Sequence, residues 1–264
     1  MKVETGLRIK SEDFPHIFQA GMRTSEIRFL EELVQNWLLK YPNDIKVNIF
    51  QAEIFFSKGE LENAKQIIQS VLERDPENLR CYDLLAEHSP VIDKFVFSAL
   101  HALSGKTVRI NDIFPWAIAL RAAKNETKRK NFQNAEKLIN RAISEDPNNI
   151  LIALEHYRIV SKQEDITSNL QLNEIYHRRW QHCIPFKLWL ALSKMNVGQE
   201  NSAVSLLHTS ALQDPGGIVA SRLLGSSHEY LSIWPKNLEI CYQQQVPTSI
   251  AVALDWNRLQ PGTL

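Results

Sequence analysis

Apolar residues recur along this chain at helical spacing, and the runs end in the same way. In "NAKQIIQSVLERDPEN" (63–78), Ile67, Ile68, Val71 and Leu72 fall on one helix face. Leu138, Ile139, Ala142 and Ile143 do so in "NAEKLINRAISEDPNN" (134–149), and "NSAVSLLHTSALQDPGG" (201–217) is a looser copy. Each run stops at Asp-Pro: Asp75-Pro76, Asp146-Pro147 and Asp214-Pro215. The residue before proline avoids helical angles and proline donates no backbone N–H, so the dipeptide ends a helix.

The stops keep a beat. Pro42 and Pro76 are 34 residues apart, Pro147 and Pro215 are 68 apart, and Pro76 to Pro147 is 71, two periods plus three. Small residues share it. Ala52 and Ala86 form one pair, Ala123 and Ala191 another, with Gly225 34 beyond Ala191. A second column reads Ala64, Ala135 and Ala203, and Gly59 and Gly198 lie between the two columns. Helices approach closely where side chains are small, and glycine permits the turn between them. The repeated unit is a helix–turn–helix that cannot bury its apolar face alone, so units stack.

The pattern resembles the tetratricopeptide repeat (TPR) family, on Ala52, Phe55, Gly59, Ala64 and Pro76, then Ala123, Ala135, Ala142 and Pro147, then Ala191, Gly198, Ala203 and Pro215. The resemblance implies an all-α fold, a right-handed α-solenoid of about six TPR-like helix pairs. Units fall at roughly 11–44, 45–78, 79–115, 116–149, 150–183 and 184–217, with "IVASRLLG" opening a seventh. Three depart from the pattern. The first lacks small residues at both crossings. The third is three residues longer than the period and carries Pro90 where its first helix would continue. The fifth has Tyr157 and Asn169 in the two small columns, which predicts helices set farther apart. Residues 1–225 form the repeat domain. Residues 226–264, broken by Pro235 and Pro247 but rich in Trp234, Trp256, Ile233, Ile250, Val252 and Leu254, are expected as an irregular C-terminal cap on the last repeats.

Composition narrows the function. The chain has 264 residues, 30 Lys and Arg against 30 Asp and Glu, and 9 glycines. A balanced charge disfavours a general nucleic-acid binder, and scarce glycine disfavours phosphate loops. Cys81, Cys183 and Cys241 are odd in number and far apart, which suggests neither a disulfide framework nor a zinc site. No run of about 18 apolar residues occurs. The expectation is a cytoplasmic protein with no membrane insertion.

Local motifs carry little chemistry. "SGKT" (104–107) has Leu100 where a phosphate loop needs its first glycine, so Gly105 reads as a helix stop. In "HRRWQHC" (177–183), His177 and His182 are five apart and do not share a helix face. "NETKRKN" (125–131) reads as a solvated turn. Cys241 with His228 is the one candidate nucleophile pair.

TPR stacks bind partners on the face lined by the first helix of each unit, which is what the resemblance implies. Counting by 34 aligns Leu120, Leu154 and Leu188, then Lys124, Arg158 and Leu192, then Lys128, Lys162 and Asn196. Lys124, Lys128, Arg158 and Lys162 form a basic patch with Leu120, Leu154, Leu188 and Leu192 beside it. The earlier units present Ile49, Glu53, Phe56, Asp83 and Glu87, so the groove reads acidic early and basic late. The family's peptide-carboxylate clamp is not matched: Ile49 and Glu53, and Pro15 and Gln19 before them, stand where its Lys and Asn would be. The expected function is a non-catalytic scaffold or adaptor for an acidic or apolar protein or peptide, without cofactor, metal or direct nucleic-acid contact. The alternatives are a sensor or dimerisation module of a transcription system, and an enzyme with its site in the C-terminal segment.

Overall fold

The computed structural model describes residues 7–256 apart from 90, 92, 107–108 and 164–165. Pro90 therefore lies outside the described residues. The fold is all-helical, with fourteen α-helices and one two-stranded sheet among the described residues. After β1 (Leu7–Lys10) come α1 (Phe14–Arg23), α2 (Ile27–Lys40), α3 (Ile45–Ser57), α4 (Leu61–Arg74), α5 (Leu79–His88) and α6 (Lys94–Ser104). Then follow α7 (Pro115–Lys128), α8 (Phe132–Glu145), α9 (Ile150–Val160), α10 (Ile166–Arg179), α11 (Ile184–Asn196), α12 (Glu200–Gln213) and α13 (Ile218–Leu224). A 3-10 turn (Glu229–Ile233), β2 (Glu239–Tyr242) and α14 (Thr248–Ala253) complete the chain. Consecutive helices pack on one another, an arrangement compatible with an α-solenoid.

Local chemistry sets the helix limits. α4, α8 and α12 each end one residue before the Asp of an Asp-Pro pair. Asn78 and Asn149 accept from backbone N–H groups at the starts of α5 and α9, the usual side-chain cap. Asp44 caps α3 through Val47 and accepts the Trp37 indole N–H at 2.9 Å, fixing α2 to α3. The small columns Ala52, Ala64, Ala123, Ala135, Ala191 and Ala203 are all fully buried. Between them the chain turns through left-handed backbone at Ser25, Gly59, Lys130 and Gly198, with φ of 59°, 75°, 62° and 76°. The first unit does have a close crossing. Gly21 provides it, since a Cβ there would come within 2.6 Å of the Leu30 side chain.

The two ends of the chain meet. β1 pairs antiparallel with β2, Leu7 opposite Tyr242 and Lys10 opposite Glu239. Ile9, Ile240 and Tyr242 face inward onto a core with Phe14, Ile17, Phe29 and Trp37, and α14 adds Ile250. The other half of the C-terminal segment sits on α12 and α13, where the Trp234 indole donates to the Asp214 carbonyl at 2.8 Å. A second core joins Ile45, Ile49, Ile68 and Cys81 to Ile184, Leu188, Leu207, Val219 and Trp234. Polar contacts follow the same seam. Asn43 donates to the Leu212 carbonyl at 2.9 Å, and Arg74 donates to the carbonyls of Asn43 and Gln213 at 2.7 and 3.0 Å. Helices early and late in sequence thus share one interior, and the C-terminal segment bridges them. No helix among the described residues is long and apolar enough to cross a membrane.

Trp234 is 5% exposed and Leu39 84% exposed. Trp234→Ala is expected to lower the unfolding free energy by about 3–5 kcal/mol, and Leu39→Ala by no more than about 0.5 kcal/mol, in urea titrations. Asp214 gives a pH signature. Burial pushes its carboxyl up to about 6 from 3.8, against hydrogen bonds from the Val219 and Ile218 backbone. Its favourable contribution is therefore complete below pH 3.8 and is lost as pH rises through about 6. Asp214→Asn should flatten that part of the stability–pH profile.

Candidate ligand-binding face

The first-helix face of α7, α9 and α11 was legible as three rows, and the rows lie at different depths. Leu120, Leu154 and Leu188 are fully buried in the helical core. Lys124 and Arg158, one turn on, point at a carboxylate from elsewhere in the chain. Glu77, in the turn between α4 and α5, accepts from Lys124 Nζ at 3.1 Å and from Arg158 Nη1 at 2.7 Å. Glu155 lies beside them, 3.3 Å from Arg158 and 3.8 Å from Lys124. Burial alone would push the Glu77 carboxyl up; the Arg158 and Lys124 charges and hydrogen bonds overturn this and hold it well below the usual carboxylate range. In the same turn Asp75, fully buried, receives Arg222 of α13 at 3.0 Å. Two of the four cations of the basic patch thus bind the chain to itself.

The remaining pair is different. Lys128 and Lys162 are exposed and form no ion pair among the described residues. With Leu192 and Asn196 they border a cavity of about 640 Å³. Its other walls come from the turn after α7 (Lys130), α8 (Phe132), the start of α10 (Ile166) and α13 (Leu223). Two of its lining residues, Tyr157 and Ser193, accept through Oη and Oγ from the fully buried Asn173 of α10, both at 2.8 Å. The Trp189 ring stands 4.7 Å from Tyr157 and carries the Arg158 guanidinium at 5.3 Å.

The fifth unit's departures create this cavity. Tyr157 and Asn169 occupy the columns that hold Ala123 and Ala135 in the preceding unit, and both line the cavity. Asn173 is the one buried residue of α10 among those described. With bulk at the crossing and a polar inner face, α10 does not close onto α9 as α8 closes onto α7.

The early face is charge-compensated. Glu53 takes Arg80 at 2.9 Å, Arg80 also reaches Glu87, and Lys106 pairs with Asp83. Pro15, Gln19, Ile49, Glu53 and Arg80 line a second cavity of about 1030 Å³. The acidic end expected of the groove is thus largely neutralised by Arg80 and Lys106, and the inner row of the basic end by Glu77 from the early units together with Glu155.

The other motifs are dispersed. Gly105 caps α6 in left-handed backbone. Cys81 and Cys183 are buried, where desolvation pushes both thiols up. Cys241 is exposed on β2, and His228 accepts from the Tyr230 N–H at the 3-10 turn. Arg179, Trp180 and His182 line a third cavity, about 620 Å³, facing α4–α6. No group of three His, Cys, Asp or Glu among the described residues is placed to hold a metal. Comparison with family models, with curated proteins and with solved structures gave no match.

The Glu77 cluster makes a pH-dependent prediction. Because the folded pKa is depressed, its stabilisation is complete above about 4.5, the ordinary glutamate value, and drains as pH falls below it. Glu77→Gln leaves buried cations underpaired and is expected to cost about 3 kcal/mol at neutral pH. The gap between variant and wild type should narrow in denaturation curves taken below pH 4.5.

Proposed function

We propose that the protein is a non-catalytic interaction module of TPR type, a right-handed stack of helix pairs, that holds an acidic segment of a partner protein at the ends of α7 and α9. One contrast carries the reading. On α5, α7 and α9, Arg80, Lys124 and Arg158 are each paired with a carboxylate, whereas Lys128, Lys130 and Lys162, grouped around one cavity, have no ion pair among the described residues. A cation in the last turn of a helix is favoured by the helix dipole, which accounts for Lys128. It does not account for Lys130, which sits at φ 62° in the column where Gly59 and Gly198 stand. A lysine there costs about 1 kcal/mol of backbone strain, which points to a use for its charge.

The Asp-Pro stops and the buried small columns support the family reading, and the positions of α1 to α12 support six helix pairs. A second reading, a sensor module of a regulatory system, is favoured by a separate observation: the basic face ends in an open, bowl-shaped cavity lined by six helices.

The test is titration of fluorescein-labelled peptides rich in Asp and Glu, followed by polarisation. Charge reversal at Lys128 and Lys162 together should weaken binding by at least about tenfold, with the melting temperature unchanged because both side chains are exposed. Binding should also weaken as salt rises through about 0.1 to 1 M. Equal binding of lysine-rich peptides would defeat the reading.

A further inference from the structure

We propose that the cavity between α7, α9 and α11 is a site for a small organic anion, an acid group carried on a flat apolar body. The inference does not need a protein partner. Size is the first argument: about 640 Å³ falls within the roughly 300–1,000 Å³ of small-molecule sites. Shape is the second. Walls from α7, α8, α9, α10, α11 and α13 make a bowl, and a bowl suits a compact ligand better than an extended chain.

Charge selects the ligand class. Among the described residues no carboxylate lines the cavity, and Lys128, Lys130 and Lys162 stand on its border without ion-pair partners. The Arg158 charge is already matched by Glu77 and Glu155. An anion entering here therefore meets three ammonium groups that no carboxylate among the described residues pairs. Of the lining residues, Tyr157 Oη and Ser193 Oγ each accept from Asn173, and neither donates to a protein group among the described residues. Both hydroxyls keep a proton to give, the complement of an anionic oxygen. The buried Asn173 carbonyl oxygen has no hydrogen-bond partner among the described residues.

The apolar body has its own wall. Trp189 lines the cavity and is held by Tyr157 at 4.7 Å, Arg158 at 5.3 Å and Phe186 at 5.8 Å. A ring fixed in this way presents apolar surface at little entropic cost on binding. Leu192 and Leu223 line the cavity beside it.

The experiment uses the full chain and two probes with the same body, 8-anilinonaphthalene-1-sulfonate and uncharged N-phenyl-1-naphthylamine, read by fluorescence and calorimetry. The sulfonate should bind one per chain, at least about tenfold more tightly than the neutral probe. Lys128→Met/Lys162→Met should lose about tenfold for the sulfonate and leave the neutral probe unchanged. Tyr157→Phe/Ser193→Ala should lose severalfold. Lys46→Met, in the early cavity, should bind like wild type. The proposal is overturned if both probes bind alike, if several sulfonates bind per chain, or if the Lys46 variant loses as much as the Lys128/Lys162 variant. Folding is checked independently by the melting temperature, which replacement of exposed lysines should not move. Failure of acidic peptides to bind a chain that holds the sulfonate would count against the peptide reading alone.

Discussion

One four-residue turn governs the arrangement. Asp75 and Glu77, two residues apart between α4 and α5, receive Arg222 from α13, Arg158 from α9 and Lys124 from α7. Their side chains are 0% and 12% exposed, so both carboxylates have lost most of their hydration and depend on these cations. A buried pair of this kind adds modestly to net stability, because desolvation offsets much of the attraction. Its force lies in what happens when it is mismatched: any packing that moved α7, α9 or α13 away would leave a bare charge inside. Stacked repeats ordinarily contact only their neighbours. Here a single acidic turn ties together units far apart in sequence. The seam at Asn43, Arg74 and Leu212 and the β1–β2 pairing then complete the junction of early and late helices.

That constraint also decides which charges are left for other uses. Taken alone, the first-helix face shows four cations in two rows. The acidic turn takes the inner row, and the outer row, with Lys130 beside it, stays in water. Selection among chemically similar side chains is thus made by a residue 47 positions from Lys124 and 81 from Arg158 in sequence. The leucines of the first row are removed from the surface by the ordinary requirement that each first helix bury its core stripe.

The same distances explain what the sequence did and did not disclose. Helix ends were legible because Asp-Pro acts locally, and most crossings because alanine columns repeat. The Gly21 crossing was not, since Gly21 lies three residues past the first alanine column, where Phe18 stands. The left-handed turns at Ser25 and Lys130 were hidden because neither residue advertises that backbone as glycine does. Closure was invisible, because no local pattern says that Glu77 will find Arg158 or that Leu7 will lie opposite Tyr242. Tyr157 and Asn169 were visible as departures from the repeat, and the expectation of parted helices followed from them. The cavity needed three further residues, Asn173, Trp189 and Ser193, that belong to no column.

Arg158 belongs to both structures. Its guanidinium binds Glu77 at the central turn, and its flat face lies on Trp189, a wall of the cavity. The indole's position therefore depends on the ion pair, and the ion pair's geometry is braced by the indole. In a regular repeat this would have no outlet, since alanines at the crossing would let the helices close over the space. Tyr157 and Asn169 keep that space open, next to a side chain that the closed arrangement cannot release without leaving the buried Glu77 underpaired. By linkage, whatever occupies the cavity and bears on Trp189 also bears on the closure, and with equal free energy in both directions.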